Sequence, residues 1–360
     1  LKVFFDLPEN RLFVPRGGKF KLEGELVRST FSKPENALLK GLRMRIIGQE
    51  KAMSTIVPWV QMHQAGLSPE GRPAGVFLML GPTGTGKTRT VEALAEVLHG
   101  SHRHMLKIDC GEFHLEHEVA KLVGAPPGYL GHRETHPVLT QPRLTAVTSR
   151  HSDLSILLFD EIEKAAPSLT RLLLGVLDKG VLRLGDNTVV NFERTMIFMT
   201  SNLGAAGMMK TLDTGFGFRP DGPIDENGRS RELENIAMAA VRRHFSPEFV
   251  NRLDATITYE PLGSEVLARI LDLQLDELQG HINKRLGDGG FQLYVAKEGR
   301  KWLLSRGTSV QYGAREMKRT LNRHLMQPLA EMVANGDVPA GGEVRAEYSK
   351  KHDRLVLKAA

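Results

Sequence analysis

An eight-residue run at positions 81–88, GPTGTGKT, is the part of this chain whose residue types and spacing point most directly to chemistry. Gly81, Gly84 and Gly86 admit backbone conformations closed to other residues. With Pro82, Thr83 and Thr85 between them, successive N–H groups turn inward around an anion. Lys87 is placed to reach β- and γ-phosphates, and Thr88 offers a hydroxyl to magnesium. The run follows an apolar stretch at 76–80 and precedes a helical pattern at 89–98, the strand–loop–helix setting of a Walker A motif. The expected ligands are ATP and Mg2+.

A second apolar stretch, 154–159, ends in Asp160 and Glu161. Two carboxylates at the carboxyl end of a strand face the phosphate side of a P-loop sheet. Asp160 is expected to hold the magnesium shell, and Glu161 to polarise the attacking water. An acidic pair after a strand is by itself a common solvated turn, and the Walker A run is what gives it meaning. A third stretch, 195–200, ends at Ser201 and Asn202, placing an amide where it can orient water or sense the γ-phosphate.

These groups need a parallel sheet to bring them together. Residues 75–80, 105–108, 156–159 and 195–200 read as buried strands separated by amphipathic helices, which implies an α/β fold with helices flanking the sheet. Beyond Pro261 the periodicity becomes helical, with Val266, Ile270, Leu273 and Leu278 in one segment and Met317, Leu321, Leu325 and Leu329 in another, before a hairpin across 344–357. The expected domains are a small β-rich element over 1–40, a large α/β domain over 41–260 and a small, mainly helical domain over 261–360. Residues 211–228, rich in Gly, Asp, Pro and Phe, read as an exposed loop.

Composition narrows the classes further. With 360 residues, 41% hydrophobic and 25% charged, the chain is ordinary globular protein, neither disordered nor fibrous. No apolar run approaches the roughly 20 residues of a membrane span, and the N-terminus lacks a secretory layout, so a soluble, cytoplasmic protein is expected. The chain starts at Leu1 rather than Met, which leaves open whether a segment was trimmed upstream. Cys110 is the single cysteine, which excludes an internal disulfide and multi-cysteine zinc sites. The net charge of +6 comes from 48 basic and 42 acidic residues without a block of like charge, a mixed solvated surface rather than a nucleic-acid footprint.

The motifs in order resemble the second ATPase ring of the Clp unfoldases and disaggregases (ClpB, ClpA and ClpC) of the AAA+ superfamily. The resemblance runs from about Arg43 to the C-terminus. It is carried by IIGQ at 46–49, GPTGTGKT, GAPPGYLG at 124–131, FDEIEKA at 159–165, MTSNLG at 199–204, FSPEFVNRLD at 245–254 and YGAR at 312–315. The resemblance implies that Ile46, Ile47 and Ile270 wall the adenine, and that Arg252 is an arginine finger entering a neighbouring subunit's site. It further implies that Arg315 is a sensor coupling nucleotide state to interdomain angle, and that Gly128, Tyr129 and Leu130 form a pore loop gripping polypeptide. The implied machine is a homo-hexamer that hydrolyses ATP and threads protein substrates. Taken singly, Ile46 and Ile47 read as core aliphatics, Arg315 as a surface arginine and Tyr129 as a buried loop anchor.

Two segments depart from the family pattern. Residues 132–143 (HRETHPVLTQPR) are longer than expected after the pore loop. His132 and His136, with His114 and His117 upstream, suggest zinc, but Pro137 interrupts the segment and no cysteine completes a ligand set. The 211–228 loop holds Thr214-Gly215-Phe216 and Phe216-Gly217-Phe218 in place of an aliphatic-first docking tripeptide, leaving a ClpP-like peptidase or an adaptor as candidate partners. Two other readings stand beside the motor: an AAA+ switch for assembly or nucleic-acid handling, and a regulatory ring that scaffolds a partner. Tyr129 in place of Lys or Arg argues against the first, and Glu161 with Arg252 against the second.

Overall fold

The computed structural model describes residues 36–124, 137–214, 226–308 and 313–359. The pore-loop residues Gly128, Tyr129 and Leu130, the pair His132 and His136, the docking tripeptides apart from Thr214, and most of the 1–40 segment lie outside them. Asn36 caps the first helix by accepting the Leu38 N–H at 3.0 Å.

In chain order the first elements are α1 (Ala37–Arg43), α2 (Glu50–Gln64), β1 (Gly75–Leu80), α3 (Lys87–His99), β2 (Leu106–Asp109), α4 (Ala120–Val123), α5 (Gln141–Ala146) and β3 (Ser155–Asp160). There follow α6 (Pro167–Lys179), a short antiparallel pair β4 (Val181–Arg183) and β5 (Val189–Asn191), β6 (Thr195–Ser201), α7 (Ala205–Thr214), α8 (Glu226–His244), α9 (Pro247–Val250) and β7 (Ala255–Thr258). Strands β2-β3-β6-β1-β7 form a five-stranded sheet, parallel throughout.

The sheet is buried on both faces because its strands are apolar at successive positions, as parallel sheets require. Alternate side chains divide between two cores. Val76, Leu78, Leu80, Leu157, Phe159, Ile197 and Met199 face one side, while Phe77, Met79, Ile156, Leu158, Met196 and Phe198 face α2 and α3 on the other. There Phe77 stacks on Phe198 with centroids 5.1 Å apart, and Trp59 meets Phe77 edge-on at 5.9 Å.

The remaining elements are α10 (Ser264–Leu286), β8 (Gln292–Val295), α11 (Lys297–Gly307), α12 (Ala314–Leu321), α13 (Gln327–Ala334), β9 (Glu343–Ser349) and β10 (Arg354–Ala359). A π-helical stretch, Asn322–Met326, joins α12 to α13 without a break. The expected hairpin is β9–β10, but β8 adds to β9 in parallel and makes a three-stranded sheet. A second difference lies in α10. Its buried residues are Leu267, Leu271, Leu275 and Ile282 rather than the expected Val266, Ile270, Leu273 and Leu278, of which Leu278 packs partly buried against the same core. A third is the 211–228 segment, which is helical at both ends: α7 runs to Thr214 and α8 starts at Glu226. Within α7 the Thr211 hydroxyl donates to the Gly207 carbonyl at 3.2 Å, one turn earlier.

Candidate nucleotide site

The carboxyl ends of β1, β3 and β6 lie side by side, with Leu80 opposite Ser201 and Phe159 opposite Met199. Everything that follows those three strands is therefore delivered to one edge, where ligands of parallel sheets bind.

From β1 the chain enters the 81–88 loop. Gly81 sits at φ 143, and a Cβ there would lie 2.5 Å from the Tyr259 carbonyl oxygen, so the close approach of the chain leaving β7 requires glycine as strictly as the loop's curvature does. Gly84 (φ 77) and Gly86 (φ 103) supply two further left-handed turns. Helix α3 starts at Lys87, aiming its N-terminal N–H groups and dipole at the concavity. The Lys87 ammonium is buried and donates to the Gly81 carbonyl at 2.6 Å, the Pro82 carbonyl at 2.9 Å and Asn202 Oδ1 at 2.9 Å. Burial pulls its pKa down to about 8, against the opposing pull of Glu163, Asp160 and Glu161.

From β3 come the carboxylates. Asp160 accepts from the Thr200 hydroxyl and pairs with Lys107 Nζ at 2.7 Å, and Thr88 Oγ1 lies 3.4 Å from Asp160 Oδ1. Burial pushes the Asp160 carboxyl up, but its bonds to Lys107 and Thr200 outweigh that and hold it below its ordinary value. Glu161 adopts φ 57, a left-handed conformation unusual outside glycine, secured by its N–H donating to Thr200 Oγ1 at 2.9 Å. Its carboxylate meets Asn202 Nδ2 at 3.4 Å on one oxygen and Lys164 Nζ on the other.

These groups border one cavity of about 450 Å3 between the sheet edge and the C-terminal region. Thr83, Gly84, Thr85, Gly86, Lys87, Thr88, Asp160, Glu161 and Asn202 line its polar end. Ile46, Ile47, Leu262, Ile270 and Leu273 line its apolar end, which explains the difference in α10: that helix has a second apolar side, turned to the cavity. Arg315, at the start of α12, enters from the C-terminal region. Gly81 and Pro82 contribute through the carbonyls that hold Lys87.

Arg252 is not part of this cavity. It pairs with Glu248 at 3.0 Å, lies 3.7 Å from Asp178, and donates to the Glu248 carbonyl at 3.1 Å.

Several participants were not singled out from sequence. Gln49 donates from Nε2 to the carbonyls of Thr85 and Glu260, both at 3.1 Å, tying the end of the IIGQ motif to the phosphate loop. Glu163 and Lys164 sit inside FDEIEKA, and Thr200 inside MTSNLG, so membership in those motifs was the available signal. Lys107 carried none, because its relation to Asp160 depends on β2 and β3 being neighbours.

A family model described as AAA domain (Cdc48 subfamily) matches residues 72–256, just over half of the chain. A model of the C-terminal, D2-small domain of ClpB protein matches residues 262–346. The chaperone protein ClpB of Mycobacterium tuberculosis is 37% identical over 336 residues, covering 93% of this chain and 35% of the relative. ClpB of Rhodopseudomonas palustris is 40% identical over 303 residues, covering 84% and 32%. The chain thus spans about a third of the length of these relatives. Among solved structures, Hsp104 with ATPγS and FITC-casein in a closed state aligns with TM-score 0.73 and 27% identity over 89% of this chain and 51% of that one. Saccharomyces cerevisiae Hsp104 with casein in an extended conformation aligns with TM-score 0.74 and 26% identity over 91% and 53%. By these two matched models in sequence and the identity to ClpB over most of its length, the chain belongs to the AAA family and corresponds to the second ATPase module of the ClpB chaperones.

Proposed function

We propose that this chain is an ATP-hydrolysing motor module that acts in the cytoplasm as a homo-hexamer and threads protein substrates through a central pore. The observation that carries the proposal is the convergence on one cavity of the phosphate loop, the Asp160–Glu161 pair, the Asn202 amide and Arg315. In this reading residues 41–260 form the large ATPase domain and 261–360 the small one, with 1–40 a separate element.

Each residue's part follows from its chemistry. Ile46, Ile47 and Ile270 sandwich the adenine. The N–H groups of 81–88 and the N-terminus of α3 cradle the phosphates, and Lys87 exchanges its carbonyl partners for phosphate oxygens. Thr88 and Asp160 offer hard oxygen ligands near each other, a donor set that suits Mg2+. When bound, the ion neutralises charge on the phosphates. Glu161 takes the proton of the attacking water, Asn202 orients that water, and Arg315 couples the phosphates to α12. The exclusion of Arg252 from its own cavity supports its service in a neighbour's, which makes hydrolysis depend on assembly. Tyr129 is the proposed grip on polypeptide, by analogy with the casein held by Hsp104. Residues 211–228 are where an adaptor or a ClpP-like peptidase would dock.

The test is Glu161→Gln in the full chain with FITC-casein as probe. The variant is expected to bind ATP, assemble and retain casein while turnover falls by about 10²–10⁴-fold. Wild-type turnover in that variant removes Glu161 from the role of base, and failure to hold casein in ATP removes the threading function.

A further inference from the structure

Glu163 has no contact with the cavity, yet it occupies the seam between the two strand tips that carry the chemistry. Strands β3 and β6 are adjacent and parallel, with Phe159 opposite Met199. After β3 the chain makes a tight 3-10 turn, Ile162–Lys164, which returns Glu163 toward the tip of β6. There Oε1 accepts the backbone N–H of Asn202 at 3.0 Å, and Oε2 is buried without a hydrogen-bond partner. The second brace across the same seam is the Glu161 N–H donating to Thr200 Oγ1.

The consequence falls on Asn202. Its side-chain amide bridges two groups of opposite role, with Oδ1 accepting from Lys87 and Nδ2 reaching Glu161 Oε1. An amide keeps two such partners only while its own backbone is held: the Glu163 carboxylate holds the Asn202 N–H, and the Ala205 N–H donates to its carbonyl at 3.1 Å. A neutral acceptor could make the same bond without the cost of burying a carboxylate oxygen that has no donor.

We propose that Glu163 is a positioning residue for hydrolysis: it clamps the Asn202 backbone so that the Asn202 amide spans Lys87 and Glu161 and sets the carboxylate of Glu161 against the phosphate cradle. This rests on the reading of Glu161 as the general base.

The experiment compares wild type, Glu163→Ala, Glu163→Gln, Asn202→Ala and the double variant Glu163→Ala with Asn202→Ala, all in the full chain. It reads kcat and KM for ATP, the Kd of mant-ADP and the melting temperature. Displacing a reacting group by about 1 Å costs on the order of 10²-fold. Glu163→Ala is therefore expected to lower kcat by about 10–100-fold while the mant-ADP Kd stays within about threefold of wild type. Glu163→Gln keeps an acceptor for the Asn202 N–H and is expected to restore most of kcat. In the Asn202→Ala background, removing Glu163 should cost little more. Wild-type kcat in Glu163→Ala overturns the clamp, as does a loss that glutamine fails to restore, or a parallel fall in nucleotide affinity and melting temperature. Where Glu163→Ala does not fold, Glu163→Gln decides: a kcat far below wild type with a normal melting temperature also overturns it. Glu161→Gln run alongside separates the two readings, since turnover in that variant removes the base assignment itself, whereas a dead Glu161→Gln beside a normal Glu163→Ala removes only the clamp.

Discussion

Lys87 and Arg252 are both single cations committed to phosphate chemistry in this reading, and the structure treats them in opposite ways. Lys87 is buried beneath the phosphate loop and satisfied by three oxygens. Hydrogen bonds to charged groups contribute about 1.5–3 kcal/mol, so Lys87→Ala should weaken ATP binding by roughly 10–150-fold in a mant-nucleotide titration, with the sheet still folded. Arg252 is held by Glu248 and Asp178, away from its own cavity. Arg252→Ala should leave nucleotide affinity near wild type and lower kcat by about 10³-fold or more, a split that steady-state kinetics beside equilibrium binding resolves. Sequence alone named both residues. The glycine-rich loop already marked Lys87 as a phosphate partner, and only the family resemblance set Arg252 apart; that Asp178 of α6 helps hold Arg252 away from its own cavity depends on tertiary packing.

At the scale of elements, the contact between α12 and the phosphate loop is the one most exposed to mutation. The Ala314 N–H donates to the Gly84 carbonyl at 3.1 Å, and Gly313 before it sits at φ 51. A Cβ on Gly313 would lie 2.7 Å from that same carbonyl oxygen. Gly313→Val combines a strained backbone, worth about 1–3 kcal/mol, with a steric push against the loop. The expected result is α12 displaced, Arg315 with it, and ATP affinity lowered at least about tenfold by calorimetry. A second link, from Arg89 on α3 to Glu277 on α10 at 3.1 Å, is solvent-exposed and contributes little by itself. Long elements were legible in the sequence: β1, β3, β6 and α3 start and stop within two residues of their expected bounds. Strands β4, β5, β7 and β8 were not, because three or four residues seldom establish an alternation; β2, equally short, was the exception.

For the molecule as a whole, two consequences can be measured. The first is assembly. If each site is completed by a neighbour's Arg252, chains carrying Glu161→Gln donate an intact finger while chains carrying Arg252→Ala keep an intact base. Mixing the two inactive variants should restore turnover above that of either alone, and additivity at the background level would argue against a shared site. The second is acid stability. His99, at the end of α3 far from the phosphates, is 5% exposed, bonded through Nδ1 to Ser149 Oγ at 3.0 Å, and packed 5.6 Å from the ring of His104, with His151 nearby. Burial, with help from those neighbours, lowers its pKa below the ordinary 6.5. The unfolded chain therefore takes up a proton near pH 6.5 that the folded chain refuses. Stability is full above that value and falls as pH drops toward the depressed folded value. His99→Asn should flatten the melting-temperature profile between about pH 7 and 5, and an unchanged slope would place the acid sensitivity elsewhere.

What the sequence by itself determined is whatever depends on consecutive residues: the glycine pattern of the phosphate loop, the helix that follows it, the apolar strands, and the carboxylates placed one after another at a strand end. Backbone conformation and period are local properties, so GPTGTGKT and Asp160–Glu161 declare themselves without a partner. What only the tertiary structure decided is which side chains from distant positions share a volume. Lys107 reaches Asp160 because β2 lies beside β3, and Glu163 holds Asn202 because β3 lies beside β6. The two apolar sides of α10, one for the core and one for the cavity, look alike in sequence because burial against protein and exposure to an apolar cavity select the same residue types. They separate only when the helix is docked between its neighbours.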